Sequence, residues 1–276
     1  MNGISVKHNP TPYILEILQK ALIRKYNRER EGTHVSDTIY CPRQQAFRKL
    51  IPKISTDQRS FFFFLRGEAI HKGIEDLLKE YDDERFTIEE TIGFKGKEVH
   101  TLTKQLHDYE IKATSDIYDK TMDMIIDIKS VNKTELPYGA IPSHLNQLAY
   151  YMTIMDCPKG QLLYILLHND GDLPFVAFDI EVSEEWRTST KRRLILETRD
   201  IEDAVELNQP KLARHVRFDD RYNWKCNDCQ YIMECNEHLK EEINLPRERR
   251  AWWDKGYNGK QRSLEIPEKW KNKNKK

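Results

Sequence analysis

Residues 113–131 read Ala-Thr-Ser-Asp-Ile-Tyr-Asp-Lys-Thr-Met-Asp-Met-Ile-Ile-Asp-Ile-Lys-Ser-Val. Apolar residues alternate on either side of a polar centre, which is the pattern of an antiparallel hairpin. Asp127 and Lys129 stand two apart in an otherwise apolar run, so in a strand both side chains leave the same face. Setting that pair against an apolar core without partners is costly. The face must therefore serve a polar cavity or open onto solvent.

If Lys120-Thr121 form a two-residue loop, Asp116 falls opposite Ile125 and shares the face of Asp127 and Lys129. A slip of one residue would move Asp116 to the other face. Two carboxylates brought together suit an octahedral Mg²⁺ or Mn²⁺ completed by water and a substrate phosphate. The Lys129 ammonium would orient that water and stabilise charge developing on phosphorus. The competing reading of the same spacing is an exposed edge hairpin with alternating charges.

The surrounding periodicity predicts a helix over 11–30, with Ile14, Leu15, Leu18 and Leu22 at helical spacing. A short helix follows Cys41-Pro42, since proline suits a first helical turn. A longer one runs from Ser60 to Tyr81, with Phe64, Ile74 and Leu78 on a buried stripe that includes His71. Strands are expected near 86–94, 98–104, 110–118 and 122–130, a helix over 142–156, and strands over 161–168 and 174–182. Gln147 and Tyr151 share a face of the 142–156 helix. A charged helix fills about 184–208. After Pro210 the chain is irregular, then a charged helical stretch and a lysine-rich tail close it. This order predicts an α/β fold, a mixed sheet flanked by helices.

Five cysteines in a chain of 276 residues argue against a disulfide scaffold. Cys226, Cys229 and Cys235 cluster, with Cys-x₂-Cys spacing that serves zinc and iron–sulfur sites alike. Joined by Cys41, they would clasp the N-terminal region to the C-terminal segment. Cys157, at a helix end, is expected to be a buried small residue. Tyr222, Trp224 and Tyr231 around the triplet, and Trp252 and Trp253 beyond it, are expected to shield the centre or staple the tail rather than stack on bases.

Forty-five basic residues balance forty-five acidic ones, so net charge neither requires nor excludes nucleic acid. Basic clusters such as Arg43/Arg48/Lys49, Lys191/Arg192/Arg193 and Arg214/Arg217/Arg221 fit solvated faces equally well. No apolar run reaches membrane-spanning length, and the first residues lack the pattern of a secretory signal. A cytoplasmic location without membrane association is the expectation. There is no nucleotide-binding phosphate loop, hence no recognisable ATP-driven motor.

The succession Gly67-Glu-Ala-Ile-His71, Ser-Asp116, Asp127-Ile-Lys129 and Gln147-Leu-Ala-Tyr-Tyr151 resembles the motifs of RecB-type PD-(D/E)xK nucleases. Cys41 with Cys226, Cys229 and Cys235 resembles the pattern of the CRISPR-associated RecB-like exonucleases, their phage relatives and the AddB nuclease domain. The match spans roughly residues 36–236. The resemblance implies a restriction-endonuclease-like fold in which His71, Asp116, Asp127 and the Ile128 carbonyl bind Mg²⁺ or Mn²⁺. It makes Lys129 the catalytic lysine, with Gln147 and Tyr151 positioning the DNA backbone and the site. It also tips the four cysteines towards a 4Fe–4S cluster of structural role. One departure is aspartate at 127, where the family often has glutamate; the charge is kept and the reach shortened.

The implied organisation is an N-terminal helical region (1–58), a nuclease core (59–209), a cluster-binding segment (210–238) and a charged helix with a basic tail (239–276). The implied activity is metal-dependent exonucleolysis of DNA, single-stranded or with free ends, commonly 5′ to 3′. Phage replication, recombination, repair and CRISPR adaptation are the settings, with a homo-oligomer or proteins of those pathways as candidate partners. A structure-specific endonuclease and a non-catalytic iron–sulfur nucleic-acid-binding or assembly module are the alternatives.

Overall fold

A computed structural model of the chain describes residues 13–28, 31–39, 41–54, 58–132, 139–167, 175–214, 226 and 229–236. The expected C-terminal helix and tail, Arg217, Arg221, Tyr222, Trp224, Trp252 and Trp253 lie outside these residues. The helices are α1 (Tyr13–Tyr26), α2 (Val35–Ile39), α3 (Pro42–Leu50), α4 (Gln58–Tyr81), α5 (Pro142–Ile154) and α6 (Glu184–Glu206). The strands are β1 (Thr33–His34), β2 (Phe86–Ile88), β3 (Thr91–Val99), β4 (Leu106–Thr114), β5 (Ile117–Asp119), β6 (Met124–Asn132), β7 (Lys159–Leu167) and β8 (Phe175–Glu181). Among the described residues they form two sheets, ordered β1-β4-β3 and β2-β5-β6-β7-β8. The mixed α/β architecture expected from the periodicity is present.

The expected four-strand meander is instead one long hairpin, bent in its middle, followed by β6. Phe86 pairs with Asp119 and Thr91 with Thr114, so β2–β3 and β5–β4 keep a single register through the bend. Two backbone bonds carry the ladder across it: Glu89 N to the Asp116 carbonyl (3.0 Å) and Ser115 N to the Glu90 carbonyl (3.1 Å). Glu89 takes a left-handed φ of 51° there. The strand expected at 98–104 is the end of β3 and a tight turn. Buried His100 organises that turn, its Nδ1 accepting from the N–H groups of Leu102 (3.3 Å) and Thr103 (3.1 Å).

β6 and β7 run parallel, joined through α5, which crosses one face of the sheet. On that face Ile125 and Val131 pack with Leu148, Met152, Leu162 and Tyr164. On the other, Ile117, Ile128 and Ile165 meet Ile70, Ile74 and Leu78 of α4. The sheet is thus a middle layer, with helices on both sides. At Gly160 of β7 an added Cβ would lie 2.6 Å from Met152 Sδ, so glycine lets α5 sit close on the strand.

Phe64, expected on the buried stripe of α4, is 55% exposed. Ile74 and Leu78 do face the sheet, but the first turns of α4 pack on α1 through Phe61, whose ring stacks on Tyr26 at 5.4 Å. The buried face of α4 therefore changes along its length. Cys157 is buried, as expected. No helix among the described residues is long and apolar enough to cross a membrane.

Candidate active site and thiol corner

β5 pairs with β6 through Ile117↔Ile126, Tyr118↔Ile125 and Asp119↔Met124, leaving Lys120–Asp123 as the loop. The loop is longer than expected because Asp119 Oδ1 accepts from Thr121 N (2.9 Å) and Met122 N (3.1 Å), closing an Asx-type turn. Arg85 holds the same carboxylate in place at 2.6 Å. The pairing is shifted by two residues from the expected one. A shift of two conserves the alternation of faces, so Asp116 still falls on the side of Asp127 and Lys129.

The bend at Ser115–Asp116 takes the neighbouring strand away from β6 just where the polar residues begin. Asp116 fills the gap with its side chain, Oδ2 accepting from Ile128 N at 2.7 Å. In a strand the N–H and C=O of one residue leave the same edge, so the Ile128 carbonyl is directed to this edge too. From the α4 layer, His71 Nδ1 comes within 3.7 Å of Asp116 Oδ2. Lys129 Nζ lies 2.7 Å from Asp127 Oδ2, and Asp127 Oδ1 is buried without a hydrogen-bond partner among the described residues. From α5, Gln147 Nε2 donates to Tyr151 Oη at 2.6 Å.

Electrostatics tie these groups into one centre. Burial pushes the Asp127 carboxyl up to about 7, helped by Asp116 and opposed by Lys129. Burial also works against the Lys129 charge, but Asp127 and Asp116 hold its pKa above the ordinary lysine value. Tyr151 is pushed up to about 12, by burial and then by the Asp127 charge. Burial lowers His71 despite nearby Asp116, favouring the neutral imidazole. His71, Asp116, Asp127, Lys129 and Tyr151 therefore share one electrostatic neighbourhood, and Gln147 joins it through Tyr151.

Two glutamates went unnoticed in the sequence. Glu75, one helical turn beyond His71, is 3% exposed. Its carboxyl is pushed up by burial and then by Glu89 and Asp116. The i, i+4 spacing of His71 and Glu75 was the available signal; Glu89 gave none, since it reaches the site only through the bend. Among the described residues, no three His, Cys, Asp or Glu side chains close on one point tightly enough to hold a metal ion as they stand. Asp127 is engaged with Lys129 and Asp116 with the Ile128 N–H, so the two carboxylates are turned to different partners.

The second polar centre lies where the two ends of the described chain meet. Cys41 precedes Pro42 at the start of α3, Cys229 stands just before a short helical turn over 232–236, and Cys235 lies within that turn. Cys41, Cys226, Cys229 and Cys235 are all partly buried. Burial pushes Cys235 up to about 11; Arg43 opposes this, while Cys41 and Cys226 reinforce it. Cys229 is raised by burial and also feels Cys41. The four thiols are thus electrostatic neighbours.

Arg43 fastens this corner. Fully buried, it donates from Nε to the Ala213 carbonyl (2.9 Å) and from Nη2 to the Lys211 carbonyl (3.0 Å). Its backbone N–H donates to the Arg214 carbonyl at 2.9 Å. Tyr231 stacks on Phe47 at 5.7 Å, and Lys53 donates to the Gln230 carbonyl at 2.7 Å. Tyr231 is therefore a staple, as expected; Arg43, which the sequence places in a basic cluster fit for a solvated face, is instead buried in the corner.

No family model matches the sequence, and no curated protein matches it. Among solved structures, SSO0001 is similar with a TM-score of 0.54 and 20% identity, over 81% of this chain and 96% of that one. That likeness establishes a shared fold. An alkaline exonuclease from Laribacter hongkongensis, LHK-Exo, is similar at a TM-score of 0.38 and 13% identity, over 61% of this chain and 91% of its own. A phage-related exonuclease from Haemophilus somnus 129PT stands at 0.40 and 13%, over 67% and 93%.

Proposed function

We propose that the chain is a metal-dependent deoxyribonuclease of the PD-(D/E)xK type, acting from free ends on single-stranded DNA with 5′ to 3′ polarity. The observation that carries this reading is the Asp127–Lys129 pair on the open edge of β6, with Asp116 beside it. A purely structural ion pair has no need of an orphaned carboxylate oxygen, a second acidic group and an imidazole around it.

Asp116, Asp127, the Ile128 carbonyl and His71 would hold Mg²⁺ or Mn²⁺. The set fits a hard cation: it offers oxygen donors, an unpartnered Asp127 Oδ1 and a histidine biased to its neutral form. Such an ion supplies a polarised phosphate oxygen and an acidified water. Lys129 keeps its proton and places a positive charge where the phosphoryl oxygens gain negative charge. Tyr151 also stays protonated. Because its oxygen accepts from Gln147, its own proton is available to donate, which suits it to orient a phosphate.

The four thiols would hold a 4Fe–4S cluster. The donor set fits: four partly buried cysteines from both ends of the described chain, with the Arg43 cation beside them to offset thiolate charge. Its role would be structural, in a cluster-binding segment appended to a nuclease core.

The test is degradation of end-labelled single-stranded DNA by anaerobically purified protein with Mn²⁺ or Mg²⁺, beside Asp127→Ala and Lys129→Ala. Metal-dependent loss of label from the 5′ end, absent in both variants, is the expected result. Folded protein that binds DNA yet cuts no end, junction or duplex would instead make this a binding module.

A further inference from the structure

A cavity of about 1220 Å³ lies between the end of α1, the end of α3 and the first turns of α4. It reaches His71 and Ser130 on one side and Gln230 and Tyr231 on the other, so it joins the candidate active site to the thiol corner. Phe63 and Phe64 line it with rings that are 48% and 55% exposed. Arg28, Arg48 and Arg66 line it as well. Of the acidic residues on the wall, Glu68 is paired with Lys25, and Asp37 is buried and accepts from His34 N at 2.8 Å. The balance facing the cavity is positive.

The helix geometry gives this wall a direction. Phe63, Gly67 and His71 are spaced four apart and form one row along α4. At 1.5 Å per residue the row spans about 12 Å from ring to imidazole. Arg66 sits beside it, with its guanidinium 5.1 Å from the Phe63 ring centre and its Nε buried without a hydrogen-bond partner among the described residues. Gly67 is unexplained by packing: an added Cβ would meet only Ser130 Oγ, at an ordinary 3.4 Å. A glycine inside a helix costs about 0.5–1 kcal/mol relative to alanine. What it does achieve is an open floor between the exposed ring and the candidate active site.

We propose that this cavity seats the unpaired DNA strand, with bases stacking on Phe63 and Phe64 and phosphates taken by Arg66 and Arg48 on the way to His71. The proposal rests on the nuclease reading for the identity of the substrate. Aromatic faces are useful to a nucleic acid only where its bases are unpaired, because a duplex keeps base faces stacked and shows only edges and phosphates. Exposed rings interleaved with arginines that have no carboxylate partner among the described residues are thus a single-strand signature rather than a duplex one. The bare helix at Gly67 lets the strand continue past Phe63 without lifting away from α4.

The experiment is fluorescence anisotropy with a labelled 20-nucleotide oligo(dT) and with a labelled duplex, in Ca²⁺ without Mg²⁺ or Mn²⁺, on the full chain. Phe63→Ala and Arg66→Ala should each weaken oligo(dT) binding about 10-fold, as loss of one stacked base or one phosphate contact does. Phe175→Ala, an exposed phenylalanine on β8, should leave it unchanged. Duplex affinity should fall less in Phe63→Ala than oligo(dT) affinity does. Unchanged oligo(dT) binding in both cavity variants, or an equal loss for duplex and single strand in Phe63→Ala, overturns the proposal. Binding is read without cleavage, so a wild-type protein that never cuts DNA but loses oligo(dT) affinity in both variants sinks the nuclease reading and leaves this one standing.

Discussion

Asp127 and Lys129 sit two residues apart on the middle strand of a five-stranded sheet, whereas Cys41 and Cys235 come from opposite ends of the described chain. The first centre is fixed by the sheet: register sets which side chains emerge together, and two helical layers bring His71, Tyr151 and Gln147 to them. The second depends on a few tertiary ties, of which Arg43, Tyr231 and Lys53 are visible. The charges differ in kind too. In the sheet a carboxylate and an ammonium offset each other's burial, while the Cys229 and Cys235 thiols, both raised by burial, escape that cost by staying protonated. A site built on a rigid strand can lose a functional group and keep its fold. A site built between chain ends holds the fold partly through the site itself.

That contrast fails or holds first on Lys129→Ala. Removing the lysine should lower cleavage by a factor on the order of 10³, as for loss of a group that stabilises transition-state charge. Asp127 then neutralises itself by holding its proton, so the melting temperature at pH 6 should change by only about 3 °C. A collapse of the fold instead would show that the Asp127–Lys129 pair is structural. Cys226→Ala should behave the opposite way: the absorbance of the proposed 4Fe–4S cluster should disappear and melting should fall on the order of 10 °C, since binding of a cluster there would be folding free energy. Unchanged melting and activity would refute the structural role.

The sheet centre was legible in the sequence because its logic is parity. The loop length and the partner of Asp116 were both misread, yet an error of two residues in register leaves every side chain on its face. Helix stripes lack this protection. Phe64 has the same spacing to Ile74 and Leu78 that a buried residue would have, but α4 leaves the sheet for α1 along its length. The bend at Glu89 was hidden for a different reason: it depends on a left-handed residue with no glycine to mark it. Arg43 was hidden because its partners are backbone carbonyls far away in sequence, which no side-chain pattern announces.

Arg43 also separates the two ways of holding the thiol corner. Arg43→Met keeps the stem and removes the donors to the Lys211 and Ala213 carbonyls. Leaving the buried Ala213 acceptor and the half-buried Lys211 acceptor unpaired should cost about 2–4 kcal/mol, read by urea melts of protein treated to remove metal. A loss of that size without metal means the corner is tied by hydrogen bonds before any cluster binds. No loss would assign the whole clasp to the cysteines.

The smallest effect tests how closed the sheet centre is. Burial raises Asp127 from 3.8 to about 7, so below about 7 the folded chain holds a proton that the unfolded chain has released above about 3.8. Raising pH from 4 towards 7 therefore favours the unfolded state, and the stabilisation present on the acid side is lost as pH passes through the folded value. Asp127→Asn has no such proton. In metal-free protein, its melting temperature relative to wild type should climb between pH 5 and 7 and level off above about 8. Added Mn²⁺ should reverse the trend for wild type alone, because the ion takes the deprotonated carboxylate and displaces the proton. A flat difference across that range would mean that water already reaches Asp127. The sheet centre would then be as loosely enclosed as the thiol corner, and enclosure would give no reason to expect one site to tolerate mutation and the other not.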